Sequence, residues 1–543
     1  MAHPLLFLAL GAASGNQVQF TDVTNAAGVS YRQLVETSVS FQDMAAMTGG
    51  AAAGDYDGDG WVDLFMCVMD GPSRLFRNLG EAGGVHLGFE EVSESAFLPV
   101  PPQARINGAT WADVDGDGDL DLHLTALPTE RYFLWINNGQ GQFTEEGIVR
   151  GAAQDTGELH LGFSSAFGDY DRDGYLDLYV AEWGNSNIGA VPSHSRLLRN
   201  RGAAAPGYFE DVTDAAQVSI DDSAPTAPSG TWSGVYAFTP RFSDLDDDGW
   251  PDLAIAGDFL TSRLFWNDGD GTFTDGTITS GVGTDENGMG ATTADLNGDG
   301  HLDWFVTSIY DPQDPCNTLG GCNWGGSGNR LFLGDGNRGF TDGTDAQGVR
   351  DGGWGWGAVH LDYDNDGHLD LAMTNGIIWR GTNFEDRFNQ DVTKLWRGTP
   401  NGFVDVGLSV GIVDRRSGKG LLTLDYDRDG DTDLFVTNAG HVPCLYRNDG
   451  GNGAHWLQVE LRGATANTFG VGARVRLWPV AGAAPQVREV SASSNYLSQC
   501  ENLLQFGLGA LTTAHTLEIR WPSGQTTVLN DVAADQRLVV VEP

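Results

Sequence analysis

The 543-residue chain is short of basic residues, with 30 Lys and Arg against 74 Asp and Glu and a net charge of -44. Phosphate contacts need clustered Lys and Arg, so the composition excludes a nucleic-acid binder. Cysteine is scarce as well. There are five, an odd number that leaves at least one unpaired in a monomer. After the first residues no segment stays apolar for the roughly 18 residues that a spanning helix needs. The sequence has no Asn-x-Ser/Thr acceptor, no His-Glu-x-x-His, no His cluster at zinc spacing and no Ser-His-Asp order. No common hydrolase signature is therefore present. Apolar residues are not lacking: 40% of the chain is hydrophobic and there are 16 Trp, enough to build a core despite the charge.

What the chain does have is a nine-residue loop, Asp-x-Asp/Asn-x-Asp-Gly-x-x-Asp, written seven times. The loops hold 30 acids within 63 residues. Carboxylates at this density repel unless a cation sits among them, and seven Ca²⁺ ions would move the net charge from -44 to -30. Ca²⁺ takes 6–8 oxygens at flexible angles. Side chains at positions 1, 3, 5 and 9 and the carbonyl at position 7 can supply them, while Gly at position 6 allows the bend. The expected ligands are Asp55, Asp57, Asp59, Trp61 and Asp63 in the first loop and Asp113, Asp115, Asp117, Asp119 and Asp121 in the second. They are Asp169, Asp171, Asp173, Tyr175 and Asp177 in the third, and Asp244, Asp246, Asp248, Trp250 and Asp252 in the fourth. The fifth offers Asp295, Asn297, Asp299, His301 and Asp303, with one charge fewer. The sixth has Asp362, Asp364, Asp366, His368 and Asp370, and the seventh Asp425, Asp427, Asp429, Asp431 and Asp433. An EF-hand would carry Glu at position 12, where the first loop has Met66 inside a strand-like run. The ions are therefore expected to be structural, with affinities on the order of 10⁻⁴–10⁻³ M.

Each loop lies between a Gly- and Ala-rich segment and an apolar one. A third strand follows, several times ending in Asn (Asn78, Asn200, Asn267, Asn448), and then a fourth that starts with an aromatic. Four short strands per repeat predict an all-β fold, a seven-bladed β-propeller. The seventh repeat lacks its fourth strand, and Phe20-Thr-Asp-Val-Thr at the other end matches it. Residues 18–24 are thus expected to close the ring and remove an open edge. Past residue 452 the loop does not recur, and alternating segments predict a small β-rich domain over 452–543. Residues 1–15 have the apolar run and small residues of a signal peptide, which implies export. Export would permit Cys316 and Cys322 to close a small disulfide loop; two free thiols are the alternative.

The loops resemble the FG-GAP/VCBS repeats of integrin α-chain propellers and of many secreted bacterial proteins, over roughly residues 18–450. The tail resembles the ASPIC/UnbV domain, in Phe469-Gly-Val-Gly-Ala-Arg-Val-Arg, Tyr496-Leu-Ser-Gln-Cys-Glu-Asn, Gln505-Phe-Gly-Leu-Gly and Ile519-Arg-Trp-Pro-Ser-Gly. Together they look like the cartilage acidic protein family. The resemblance implies a secreted, calcium-binding, adhesion- or matrix-related protein and brings no catalytic residues with it.

The face opposite the acidic loops is the expected binding face. Its aromatic and polar candidates are Arg105, Asn107, His160, Glu286, Asn287, Trp324, Trp354, Trp356, Trp379 and Lys419. They point to an extracellular protein or glycan as partner. The alternatives are an enzyme at the channel mouth and a purely structural surface protein.

Overall fold

A computed structural model describes residues 18–35, 46–97, 104–157, 159–184, 194–220, 235–312, 326–377, 388, 391–464 and 467–543. The predicted signal peptide, Trp324, Trp379, Cys316 and Cys322 lie outside them.

The fold is all-β. Each repeat forms four antiparallel strands in chain order. The first, for example, uses Ala51–Gly54, Asp63–Met66, Arg74–Asn78 and Phe89–Glu91. The acidic loop joins the first two strands. Both are buried throughout, because each sheet packs on a neighbour through both faces. The fourth strand buries only its leading aromatic, Phe89 here. In the seventh repeat the outer strand is Gln19–Asp22, which pairs antiparallel with Cys444–Asp449 and sets Phe20 opposite Asn448.

Apolar clusters fill the spaces between successive repeats. Phe65 of repeat one packs with Trp111 of repeat two, and Tyr179 of repeat three with Phe265 of repeat four. Repeats four to seven continue the series, through clusters that contain Trp304, Trp396 and Tyr446. Leu422 and Phe435 of repeat seven then share a cluster with Leu64 of repeat one. The expectation of seven separate sheets fails at one place. Repeats three and four join into one nine-stranded sheet, because Asp177–Gly184 runs on past its own sheet to pair Trp183 with Tyr236 and Gly184 with Val235.

The Asn that ends the third strand has a use that the sequence reading missed. Asn78 donates to the carbonyls of Val62 in its own loop and of Tyr426 in the seventh loop, at 3.1 and 2.9 Å. Asn137, Asn200, Asn267 and Asn448 repeat this bond to the preceding loop, at Tyr56, Val114, Tyr170 and Tyr363. Repeats five and six carry Gly334 and Gly398 instead, where a Cβ would sit 2.2 and 2.0 Å from a carbonyl oxygen.

The C-terminal region has a three-stranded sheet, in which His455–Arg462 pairs parallel with Gln536–Val541, and a four-stranded antiparallel one. It sits on the acidic loops. Between its strands, the segment 491–502 runs among the first strands of the repeats. Leu497 accepts from Ala109 N–H, Ser494 N–H donates to Ser165, Asn495 accepts from Ala291 N–H, and Glu501 N–H donates to Thr423. The Gln499 side chain makes two bonds to the Trp111 backbone, and the Ser493 hydroxyl accepts from Phe242 N–H. The Tyr496 ring lies 5.4 Å from Trp356, so all seven repeats touch this segment once Ala51 N–H, which bonds Ser498, is included. Glycine on the first strands makes room for it: a Cβ at Gly50 would stand 2.1 Å from the Leu497 carbonyl oxygen.

Candidate functional site

The seven loops share one internal geometry. The position 9 aspartate is buried and bonded through both oxygens. Asp63 Oδ2 accepts from Tyr56 N–H at 3.2 Å, and Oδ1 from Asn78 N–H at 2.7 Å. The same pair of bonds recurs at Asp121, Asp177, Asp252, Asp303, Asp370 and Asp433. This residue locks the second strand to the third, a role beyond closing an ion site. At position 1, Asp55 accepts from Gly60 N–H at 2.8 Å, and Asp113, Asp169, Asp244, Asp295, Asp362 and Asp425 do the equivalent. At position 5, Asp59, Asp117, Asp173, Asp248, Asp299, Asp366 and Asp429 hold the N–H of position 7, that is of Trp61, Asp119, Tyr175, Trp250, His301, His368 and Asp431.

These bonds leave carboxylate oxygens over. Asp55, Asp115, Asp171, Asp295, Asp364, Asp427 and Asp431 each keep a buried Oδ1 with no hydrogen-bond partner. The ligand atoms of positions 1, 3 and 9 lie within 4.8 Å of one another in the first, second, third and sixth loops, and in the fourth those of positions 1, 3 and 5, Asp244, Asp246 and Asp248, do so. Burial pushes Asp55, Asp113 and Asp295 up to about 6, and Asp169 and Asp425 up to about 7, with neighbouring aspartates adding to the shift. Unpaired buried anions in such a cluster are costly, and a hard divalent cation with oxygen ligands removes that cost. The residues fit Ca²⁺. Asn297 at position 3 of the fifth loop turns its amide NH2 toward Asp299 Oδ2 (2.9 Å), and its carbonyl oxygen, which accepts from Asp299 N–H at 2.8 Å, is the one atom it can offer a cation.

Sequence reasoning gave position 4 no task. Its residues adopt left-handed backbone, with φ of 55° at Arg172, 60° at Asp247, 52° at Asn365 and 57° at Arg428. Three of the four reach the C-terminal region. Arg172 donates to the Pro522 carbonyl, Asp247 pairs with Arg476, and Asn365 accepts from Gln505. Arg428 instead lies over the Trp61 ring of the next loop, as Arg172 lies over Trp250. Position 4 is Gly in the first, second and fifth loops (Gly58, Gly116, Gly298), so a non-glycine residue there is the sequence signal that could have shown this docking surface.

Among the described residues the candidate binding residues are buried, apart from the half-buried Arg105. Trp354 and Trp356 stack 6.3 Å apart and are buried with Phe163, Phe238, Met289 and Tyr496 in one apolar cluster. Lys419 is fully buried beneath them. Its ammonium donates to the Gly376 and Gly418 carbonyls and the Ser417 hydroxyl, 4.1 Å from the Trp356 ring centre. Asn107 bonds the Gly162 carbonyl, and Glu286 accepts from Ser327 N–H. Asn287 N–H bonds the Ser308 hydroxyl, and Arg105 forks onto Asp70 at 2.8 and 3.1 Å. His160 and Glu182 form a buried pair at 2.9 Å. Among the described residues, these Trp side chains and Lys419 are interior packing because Tyr496 and Leu497 of segment 491–502 pack into the same cluster; the residue types alone could not show that.

Comparison with known proteins agrees with the resemblance seen in the sequence. Residues 463–543 match the family described as ASPIC and UnbV, and residues 55–124 and 244–306 match the FG-GAP-like repeat. Cartilage acidic protein 1 of Homo sapiens is 25% identical over 525 residues, covering 90% of this chain and 71% of the relative. The Mus musculus protein of the same name is 26% identical over 570 residues, covering 99% and 79%. Among solved structures, an Agrocybe aegerita lectin that recognises non-reducing terminal N-acetylglucosamine overlaps with a TM-score of 0.41 at 16% identity, covering 74% of this chain and 94% of the lectin. The chain carries FG-GAP-like repeats followed by a C-terminal ASPIC/UnbV domain, and over most of its length it is similar to cartilage acidic protein 1.

Proposed function

We propose that the chain is a secreted, calcium-stabilised recognition module: a seven-bladed β-propeller over residues 18–450, closed by its N-terminal strand and followed by the ASPIC/UnbV domain over 452–543. The shared apolar cluster of repeats seven and one and the Asn78 bond to Tyr426 support the closed ring. The set of buried, unpartnered aspartate oxygens is the observation that carries the calcium reading. The C-terminal domain covers the loops, so bound Ca²⁺ has a structural role and recognition of an extracellular protein or glycan falls to the opposite side. Among the described residues no helix is long and apolar enough to cross a membrane.

A pull-down from extracellular material and a glycan array, each run in millimolar Ca²⁺ and again after chelation, test this reading. It expects a partner retained only with Ca²⁺. A partner held equally well by ion-free protein would refute the dependence on calcium.

A further inference from the structure

We propose that the fourth acidic loop holds no calcium: guanidinium groups take the ion's place and turn this loop into a metal-independent latch for the C-terminal domain. The inference rests on the reading that the other loops bind Ca²⁺.

The difference lies in the oxygens left over. Each of the other six loops keeps at least one buried aspartate oxygen without a partner: Asp55, Asp115, Asp171, Asp295, Asp364, and the pair Asp427 and Asp431. Among the described residues the fourth loop keeps none. Asp244 Oδ2 accepts from Arg520, and both its oxygens accept from Gly249 N–H. Asp246 Oδ1 accepts from Asp248 N–H, and its Oδ2 pairs with Arg338 at 2.6 Å. Arg338 also reaches Asp248 Oδ2 at 3.3 Å.

The C-terminal domain hydrogen-bonds the aspartate side chains of other loops through neutral donors, although the Glu501 carboxylate accepts from Asp425 N–H and the buried Arg488 lies near Asp362 and Asp295. It offers Gly507 N–H to Asp362, the Gln458 amide to Asp425 and the Thr468 hydroxyl to Asp113. A neutral donor leaves room for a divalent ion on the far side of the carboxylate. At the fourth loop alone it brings three arginines. Arg474, 1% exposed, donates to the Asp244 carbonyl at 2.5 Å and pairs with Glu489 at 2.9 Å, while Glu489 accepts from Asp244 N–H and the Ser243 hydroxyl. Arg476 shares its Nη2 between both oxygens of Asp247 at 2.8 and 3.0 Å, and Arg520 joins Asp247 Oδ1 at 3.2 Å. Asp247 is an acid that no other loop has at position 4. Charge-assisted guanidinium bonds to carboxylates are strong, and the guanidinium charges repel a cation brought among them. An arginine alone does not make this arrangement: Arg397 pairs with Asp364 and Asp366 in the sixth loop, yet Asp364 Oδ1 stays unpartnered there.

An anomalous difference map from crystals grown in millimolar Ca²⁺ places the ions, and equilibrium dialysis at saturating Ca²⁺ counts them. The expected result is peaks at six loops, none between Asp244 and Asp252, and a count of six. Asp57→Ala should lower that count by one and Asp246→Ala should not change it. A peak in the fourth loop, or the loss of one ion in Asp246→Ala, would overturn the proposal. If Asp246→Ala does not fold, the wild-type map decides alone. No peak at any loop would instead refute the calcium reading itself.

Discussion

Truncating Tyr496 should loosen several repeats at once, although the residue belongs to the C-terminal domain. Its ring is fully buried, within 6.5 Å of the rings of Phe163, Phe238 and Trp356 from repeats three, four and six. Its hydroxyl donates to the Met47 carbonyl at 2.6 Å, next to repeat one. Tyr496→Phe removes only that bond and leaves a buried carbonyl short of a donor, a cost of about 1–2 kcal/mol. Tyr496→Ala also empties the ring's volume, and removal of a buried aromatic costs about 3–5 kcal/mol. The expected loss is therefore about 1–2 kcal/mol for Phe and about 4–7 kcal/mol for Ala. Urea unfolding in Ca²⁺-saturated buffer, followed by tryptophan fluorescence, measures both as shifts of the midpoint at unchanged slope. A loss below about 1 kcal/mol in Tyr496→Ala would refute the placement of segment 491–502 inside the ring.

Other expectations follow from single contacts. Asn78→Ala strips donors from the Val62 and Tyr426 carbonyls and should cost about 2 kcal/mol in the same assay, with no change in the number of bound ions. Burial holds Lys419 well below the usual lysine range. A depressed lysine costs stability when protonated, so the wild type should gain stability as pH rises toward 10, and Lys419→Met should lose that slope; equal slopes would refute it. In the buried His160–Glu182 pair burial pulls the histidine down, but its hydrogen bond to Glu182, the Glu182 charge and a bond to the Gln154 backbone together raise it. This stabilisation is full below about pH 6.5 and fades as pH rises through the raised value. Glu182→Gln should cost about 3–5 kcal/mol at pH 6 and less at pH 8, read from denaturation midpoints.

The repeats were legible because their chemistry is local. Asp-x-Asp-x-Asp-Gly sets a loop, the apolar run after it sets a buried strand, and the unmatched Phe20-Thr-Asp marks a displaced outer strand, found paired with Cys444–Asp449. What was not legible depends on residues far apart in the chain. Trp354, Trp356 and Lys419 have the composition of a binding face, and only the presence of Tyr496 and Leu497 beside them makes them core. Segment 491–502 is polar and lacks alternation, so nothing in its own pattern says that it is buried. The glycines of the first strands, Gly50 among them, carry that information as space left for another backbone. The joining of repeats three and four likewise depends on a strand outrunning its sheet, and strand ends are poorly marked in sequence.

Calcium dependence of stability is the most direct test of the account. Affinities on the order of 10⁻⁴–10⁻³ M and about 2 mM free Ca²⁺ give about 0.7–1.8 kcal/mol per site, or about 4–11 kcal/mol over six sites. Melting temperature should be measured at low salt in Ca²⁺, after chelation, and after Ca²⁺ is restored. The account predicts a large, reversible fall on chelation. An unchanged melting temperature would contradict it.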